Sequence, residues 1–124
     1  MSAGPPAPLA AEDAKLVTLA RSARLRAYVP GSGTAEGAAV RDTDGRTYAG
    51  ATVDHADPTL ATSALRAAVV AAAASGARRF EAAAVVSEAD AVGERDLAVL
   101  REFGTGVPVL LAGPDGALRA VRRT

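Results

Sequence analysis

Cysteine and tryptophan are both absent from the 124 residues. Without a thiol the chain has no disulfide, thiolate nucleophile, iron–sulfur cluster or zinc site that needs sulfur ligands. A single histidine, His55, puts an imidazole-built metal site out of reach and leaves one writable Ser-His-Asp arrangement. Two Phe and two Tyr are all the aromatic side chains, too few for stacking along bases or sugars. Basic and acidic side chains number 14 each, so no charge surplus draws nucleic acid or an anionic membrane surface. No apolar run approaches the about twenty residues of a membrane-spanning helix; the longest is Ala67 to Ala74. The opening Met1-Ser2-Ala3-Gly4-Pro5-Pro6-Ala7-Pro8 has neither the basic start nor the apolar core of a signal peptide, and residues 1–8 read as a flexible tail. Absence of a signal and of cysteine makes the cytoplasm the default compartment.

What is present describes one globular domain over residues 9–124. Apolar residues reach 49% and charged ones 23%, too apolar for a disordered chain, and the length leaves no room for a second core. Leu16, Leu19, Ala20, Ala23 and Ala27 recur at helical spacing, with Glu12 and Asp13 near the positive end of the dipole, and Pro30-Gly31 stops this helix. Ala35–Asp42 and Arg46–Val53 flank Thr43-Asp44-Gly45, a hairpin signal. Asp57-Pro58 opens a second helix, apolar almost all round from Leu60 to Ala74 and therefore expected to be buried, which Gly76 ends. Phe80–Val86 reads as a buried strand, Leu97, Leu100 and Phe103 as one face of a third helix closed by Gly104, and Val107–Ala112 as another strand. Gly113-Pro114-Asp115-Gly116 turns the chain into a last strand, Ala117–Val121. The order α-β-β-α-β-α-β-β predicts an α/β fold, a mixed five-stranded sheet with helices on both faces. A core so rich in alanine buries little area per residue, so a homo-oligomer is expected to supplement it.

Several strings, in order, resemble the cytidine deaminase family of small homotetrameric zinc enzymes. They are Ala27-Tyr28-Val29-Pro30-Gly31-Ser32-Gly33-Thr34 with Gly37-Ala38-Ala39-Val40, then Asp44-Gly45-Arg46-Thr47-Tyr48-Ala49-Gly50 and Val53-Asp54-His55-Ala56. Ala64-Leu65-Arg66-Ala67-Ala68 falls on the helix that carries a zinc ligand in that family. Arg78-Arg79-Phe80, Val85-Val86-Ser87, Leu100-Arg101-Glu102-Phe103 and Val107-Pro108-Val109-Leu110-Leu111 continue in step. The resemblance runs from about Ala27 to Ala112 and implies a three-layer cytidine-deaminase-like fold. In that family a zinc-bound hydroxide attacks C4 of cytosine while a glutamate carries protons.

Laid on this chain, the resemblance puts Ser63 at the first cysteine ligand, Gly93 and Asp96 at the Cys-x-x-Cys pair, and Leu65 at the proton-carrying glutamate. It therefore implies no zinc, no cofactor and no catalytic residue, since one carboxylate does not make a zinc site and leucine has nothing to titrate. The stacking Phe falls on Thr34, and the ribose-binding Asn and Glu fall on Thr52 and Asp54; these are the ligand-binding candidates the resemblance offers. By themselves Thr52 and Asp54 also read as polar residues closing a strand. His55 reads as a polar loop residue ahead of Asp57-Pro58. Gly31-Ser32-Gly33 lacks the Gly-Lys-Ser/Thr of a phosphate loop, and Arg78-Arg79 and Arg122-Arg123 read as solvated surface. The expected function is non-enzymatic, a homo-oligomeric scaffold or partner of another protein. Two alternatives stand beside it: a module binding a nucleoside-like ligand without turnover, and a deaminase or other hydrolase with displaced groups, drawing on Asp54, His55 and Asp96. Family members are tetramers; the ending Arg122-Arg123-Thr124 departs from their usual aromatic tail and leaves dimer or tetramer open.

Overall fold

A computed structural model describes residues 9–31 and 33–124; the expected tail, residues 1–8, lies outside the described residues. Eight main elements follow the expected order: α1 Ala11–Arg24, β1 Gly37–Asp42, β2 Thr47–Ala51, α2 Ala64–Ala74, β3 Phe80–Val86, α3 Glu94–Arg101, β4 Pro108–Ala112 and β5 Leu118–Arg123. The five strands form one sheet in the order β2-β1-β3-β4-β5, with β3 and β4 parallel and every other pair antiparallel. The sheet is mixed because β3 and β4 are joined through α3, a crossover, whereas β1–β2 and β4–β5 are hairpins.

Alternation along the strands sorts the core into two layers. Ala39, Ala82, Ala84, Val86, Leu110 and Ala112 pack under Leu16, Val17 and Ala20 of α1. Their neighbours Ala38, Val40, Ala83, Val85, Val109 and Leu111 face Leu65, Ala68, Val69 and Ala72 of α2 and Leu97 and Leu100 of α3. Phe80 meets Phe103 edge to face with ring centroids 5.6 Å apart, closing the far end of this second layer. Small residues let the layers approach: a Cβ on Gly50 would stand 2.7 Å from the Ala64 carbonyl of α2, and one on Gly37 would run into the Ala20 carbonyl of α1.

Four expectations need correction. Asp57-Pro58 does not open α2. The Asp57 carboxylate accepts the Thr59 N–H at 2.9 Å and caps a single 3₁₀ turn, Pro58–Leu60. The chain then extends, because Val53 and Thr62 exchange backbone hydrogen bonds of 3.0 and 2.8 Å, and Ser63 is the residue that caps α2. Leu60 is consequently exposed, and α2 is not buried all round, since Val70 on its outer side is 62% exposed. The first helix ends at Arg24, short of Pro30. The N–H groups of Leu25, Arg26 and Ala27 turn back three residues, and Tyr28 then bridges to Val53. The strand limits also move: β1 starts at Gly37, β2 stops at Ala51, and β5 runs on to Arg123.

Candidate functional site

Ser63 is some thirty residues from Gly93 and Asp96 in sequence, and the fold brings it to them where the starts of α2 and α3 meet. Ser63 is the N-cap of α2; its Oγ accepts the Arg66 N–H at 3.3 Å, satisfying a donor that the first helical turn leaves free. The same hydroxyl donates to Asp96 Oδ1 at 2.7 Å. Gly93 is the N-cap of α3, in extended conformation with φ −62°. A Cβ there would meet only Asp96 Oδ2, at 3.7 Å, so neither the backbone conformation nor contact at that atom requires glycine. Leu65 follows one residue into α2 and points into the core, 2% exposed, in a cluster with Val69, Val92 and Leu97.

A second group lies beside the first, because the antiparallel Val53–Thr62 bridge sets Thr52 opposite Ser63, with Asp54 on the bridge's other side. Thr52 is tied to the backbone: its hydroxyl accepts the Glu36 N–H at 3.0 Å and donates to the Glu36 carbonyl at 3.3 Å. This fastens the end of β2 to the entry of β1. Asp54 is half-buried and accepts the backbone N–H of His55 at 2.9 Å. Its Oδ2 lies 3.2 Å from the place of a Cβ on Gly33, so the loop before β1 comes close to this carboxylate. Thr34 is exposed on that loop, and His55 is exposed. The contact between His55 and Asp54 runs through the backbone, and the imidazole makes no hydrogen bond among the described residues.

Some contributors escaped the sequence reading. Arg119 on β5 donates to the carbonyls of Ser87, Glu88 and Ala89 at 3.5, 3.2 and 3.3 Å, pinning the connection that leads to Gly93. Arg41 on β1 ties α1 to the sheet through Asp13 at 3.0 Å and through Glu81. Burial works against its charge, but the hydrogen bonds to Glu81 and Asp13 outweigh that, and its pKa lies above the ordinary value. Neither role had a local signal, as each arginine reaches across to a distant segment. Asp42, buried in the hairpin, accepts the N–H groups of Asp44 and Arg46 at 3.0 and 2.9 Å. The Asp42-Thr43-Asp44-Gly45 string is a turn signal that could have disclosed it.

Among the described residues, no group of three or more His, Cys, Asp or Glu is placed to hold a metal ion. None of the described helices is long and apolar enough to cross a membrane.

Comparison with known proteins agrees with this architecture. The family model described as "Cytidine deaminase-like" matches residues 9–116. The cytidine deaminase from Burkholderia pseudomallei is 34% identical, with 89% of each chain covered and a TM-score of 0.78. That from Mycobacterium tuberculosis is 32% identical over 85% of this chain and 86% of its own, with a TM-score of 0.71. The Mycobacterium leprae enzyme is 26% identical over 88% and 90%, with a TM-score of 0.74. The α/β sheet order, the family model and these structures agree, and the chain belongs to the cytidine deaminase-like family.

Proposed function

We propose that this chain is a cytidine deaminase-like protein without deaminase chemistry, serving as a homo-oligomeric scaffold or as the partner of another protein. One observation carries the reading. The three converging positions offer a hydroxyl, a missing side chain and one carboxylate, and the carboxylate is already bonded to the hydroxyl. A zinc ion does not fit this donor set: a serine hydroxyl stays protonated near neutral pH, and zinc sites in enzymes take at least three protein ligands. Leu65 adds to this: the resemblance puts it at the family's proton-carrying glutamate, and its side chain is a buried hydrocarbon with nothing to titrate.

The reading is tested by incubating the purified protein with zinc, removing excess, and measuring bound metal together with cytidine-to-uridine conversion at high protein concentration. No bound zinc and no conversion above buffer is the expected result. Stoichiometric zinc or measurable conversion overturns it.

Binding of a nucleoside-like ligand without turnover is the second reading, favoured by the half-buried Asp54, whose Oδ2 accepts no hydrogen bond among the described residues. Thr52 contributes little to it, because the Glu36 backbone occupies its hydroxyl. A thermal-shift panel of nucleosides, bases and nucleotides separates the two. A ligand at a hundredfold excess over its Kd stabilises the folded state by about 2.7 kcal/mol, enough for a clear shift. The scaffold reading expects none.

A further inference from the structure

We infer that the Ser63–Asp96 hydrogen bond is a metal-independent clasp that holds the start of α2 against the start of α3. The inference rests on the metal-free reading proposed above and gives those substituted positions a task of their own. Gly93 supplies no side chain to cap α3, and no side-chain hydrogen bond caps it. Asp96 stands in the first turn of α3, where the positive end of the helix favours a carboxylate. It accepts the Ser63 hydroxyl rather than a backbone N–H of its own helix.

The hydroxyl works twice. Its oxygen closes α2 by accepting the Arg66 N–H, and its proton goes to Asp96. Among the described residues this is the only hydrogen bond between two side chains that joins the starts of two helices; the other side-chain-to-side-chain bonds lie within one segment or fasten a strand to a strand or helix. α2 packs chiefly on β1 and β2, so the clasp is the polar tie between it and α3 at this end of the sheet. A hydroxyl–carboxylate bond of 2.7 Å between half-buried groups is charge-assisted and poorly screened.

The test uses the full chain, with and without EDTA. Thermal unfolding and hydrogen exchange of the Leu97–Arg101 amides are compared in wild type, Ser63→Ala, Asp96→Ala, the double variant and Ser63→Thr. Each alanine variant is expected to lower Tm by about 3–6 °C. The double variant should lose clearly less than the sum of the two, the mark of a shared interaction. Ser63→Ala should speed exchange in α3, across the clasp from the substitution, and Ser63→Thr, which keeps the hydroxyl, should restore it.

A hydroxyl that merely caps α2 leaves α3 exchange unmoved and gives additive losses; either result overturns the clasp. Should Ser63→Ala fail to fold, Asp96→Ala, which removes the acceptor, takes its place, with faster exchange at Arg66 the supporting result and unchanged exchange the opposing one. A wild-type Tm that rises with zinc and falls in EDTA overturns the metal-free reading itself. Additive losses in a protein indifferent to both overturn the clasp alone.

Discussion

Leu65 shows what one side chain decides here. Its burial beside Val69, Val92 and Leu97 makes it part of the core. Leu65→Ala is expected to cost about 2–5 kcal/mol in urea unfolding, the range for deleting a buried leucine side chain. Leu65→Glu should also destabilise, because it buries a carboxylate with no partner in that cluster, and should restore no cytidine conversion by itself. Asp57 gives a pH prediction. The Thr59 hydroxyl, and then its N–H, hold the Asp57 carboxylate below the usual 3.8, so the folded state prefers it ionised. That contribution is present above the unfolded pKa and is lost as pH falls through the folded one. Asp57→Ala should therefore flatten the fall of Tm on the acid side of pH 4, and only slightly, since the group is fully exposed.

At the scale of elements, the strands were legible and the joints were not. Ala82–Val86 is an unbroken apolar run, and β3 contains it because the centre of a sheet is buried on both faces. The start of α2 was misplaced because Asp57-Pro58 carries an N-cap signature that is locally genuine. It caps a 3₁₀ turn, and the long-range Val53–Thr62 pairing then holds the next residues extended. Two predictions belong to this scale. Gly50→Ala should destabilise by about 1–3 kcal/mol, because its Cβ would crowd the α2 backbone and strand and helix would have to separate. Ser63→Cys, Gly93→Cys and Asp96→Cys combined should bind cobalt with a thiolate-to-metal absorption band that the unmodified chain lacks. The three positions already converge, and Gly93 accepts a Cβ without strain.

For the whole molecule, the balance of burial points beyond one chain. Alanine is the commonest core residue, and each buries little apolar area, while Leu25, Tyr28, Leu60 and Val70 are left more than half exposed. With no net charge to keep copies apart, self-association through such surface is expected. Sedimentation velocity should show a dimer or tetramer at micromolar concentration, with a Tm that rises with protein concentration. A monomer with a concentration-independent Tm would remove the scaffold reading and leave the protein-partner reading.

The sequence by itself determined the α/β class and the element order. Those depend on periodicity, on turn residues and on which side chains are present, all of which are local. Only the tertiary structure decided that Ser63 and Asp96 bond to one another, that Gly93 has room for a Cβ, and that the Thr52 hydroxyl is taken by Glu36. These are contacts between distant segments, set by how helices and strands pack, and no local pattern encodes which of several polar partners a hydroxyl will meet. The outer face of α2 shows the same division. Its residues are apolar in sequence, but whether one sheet can cover every side of a helix is a question of geometry, and here Val70 is left outside.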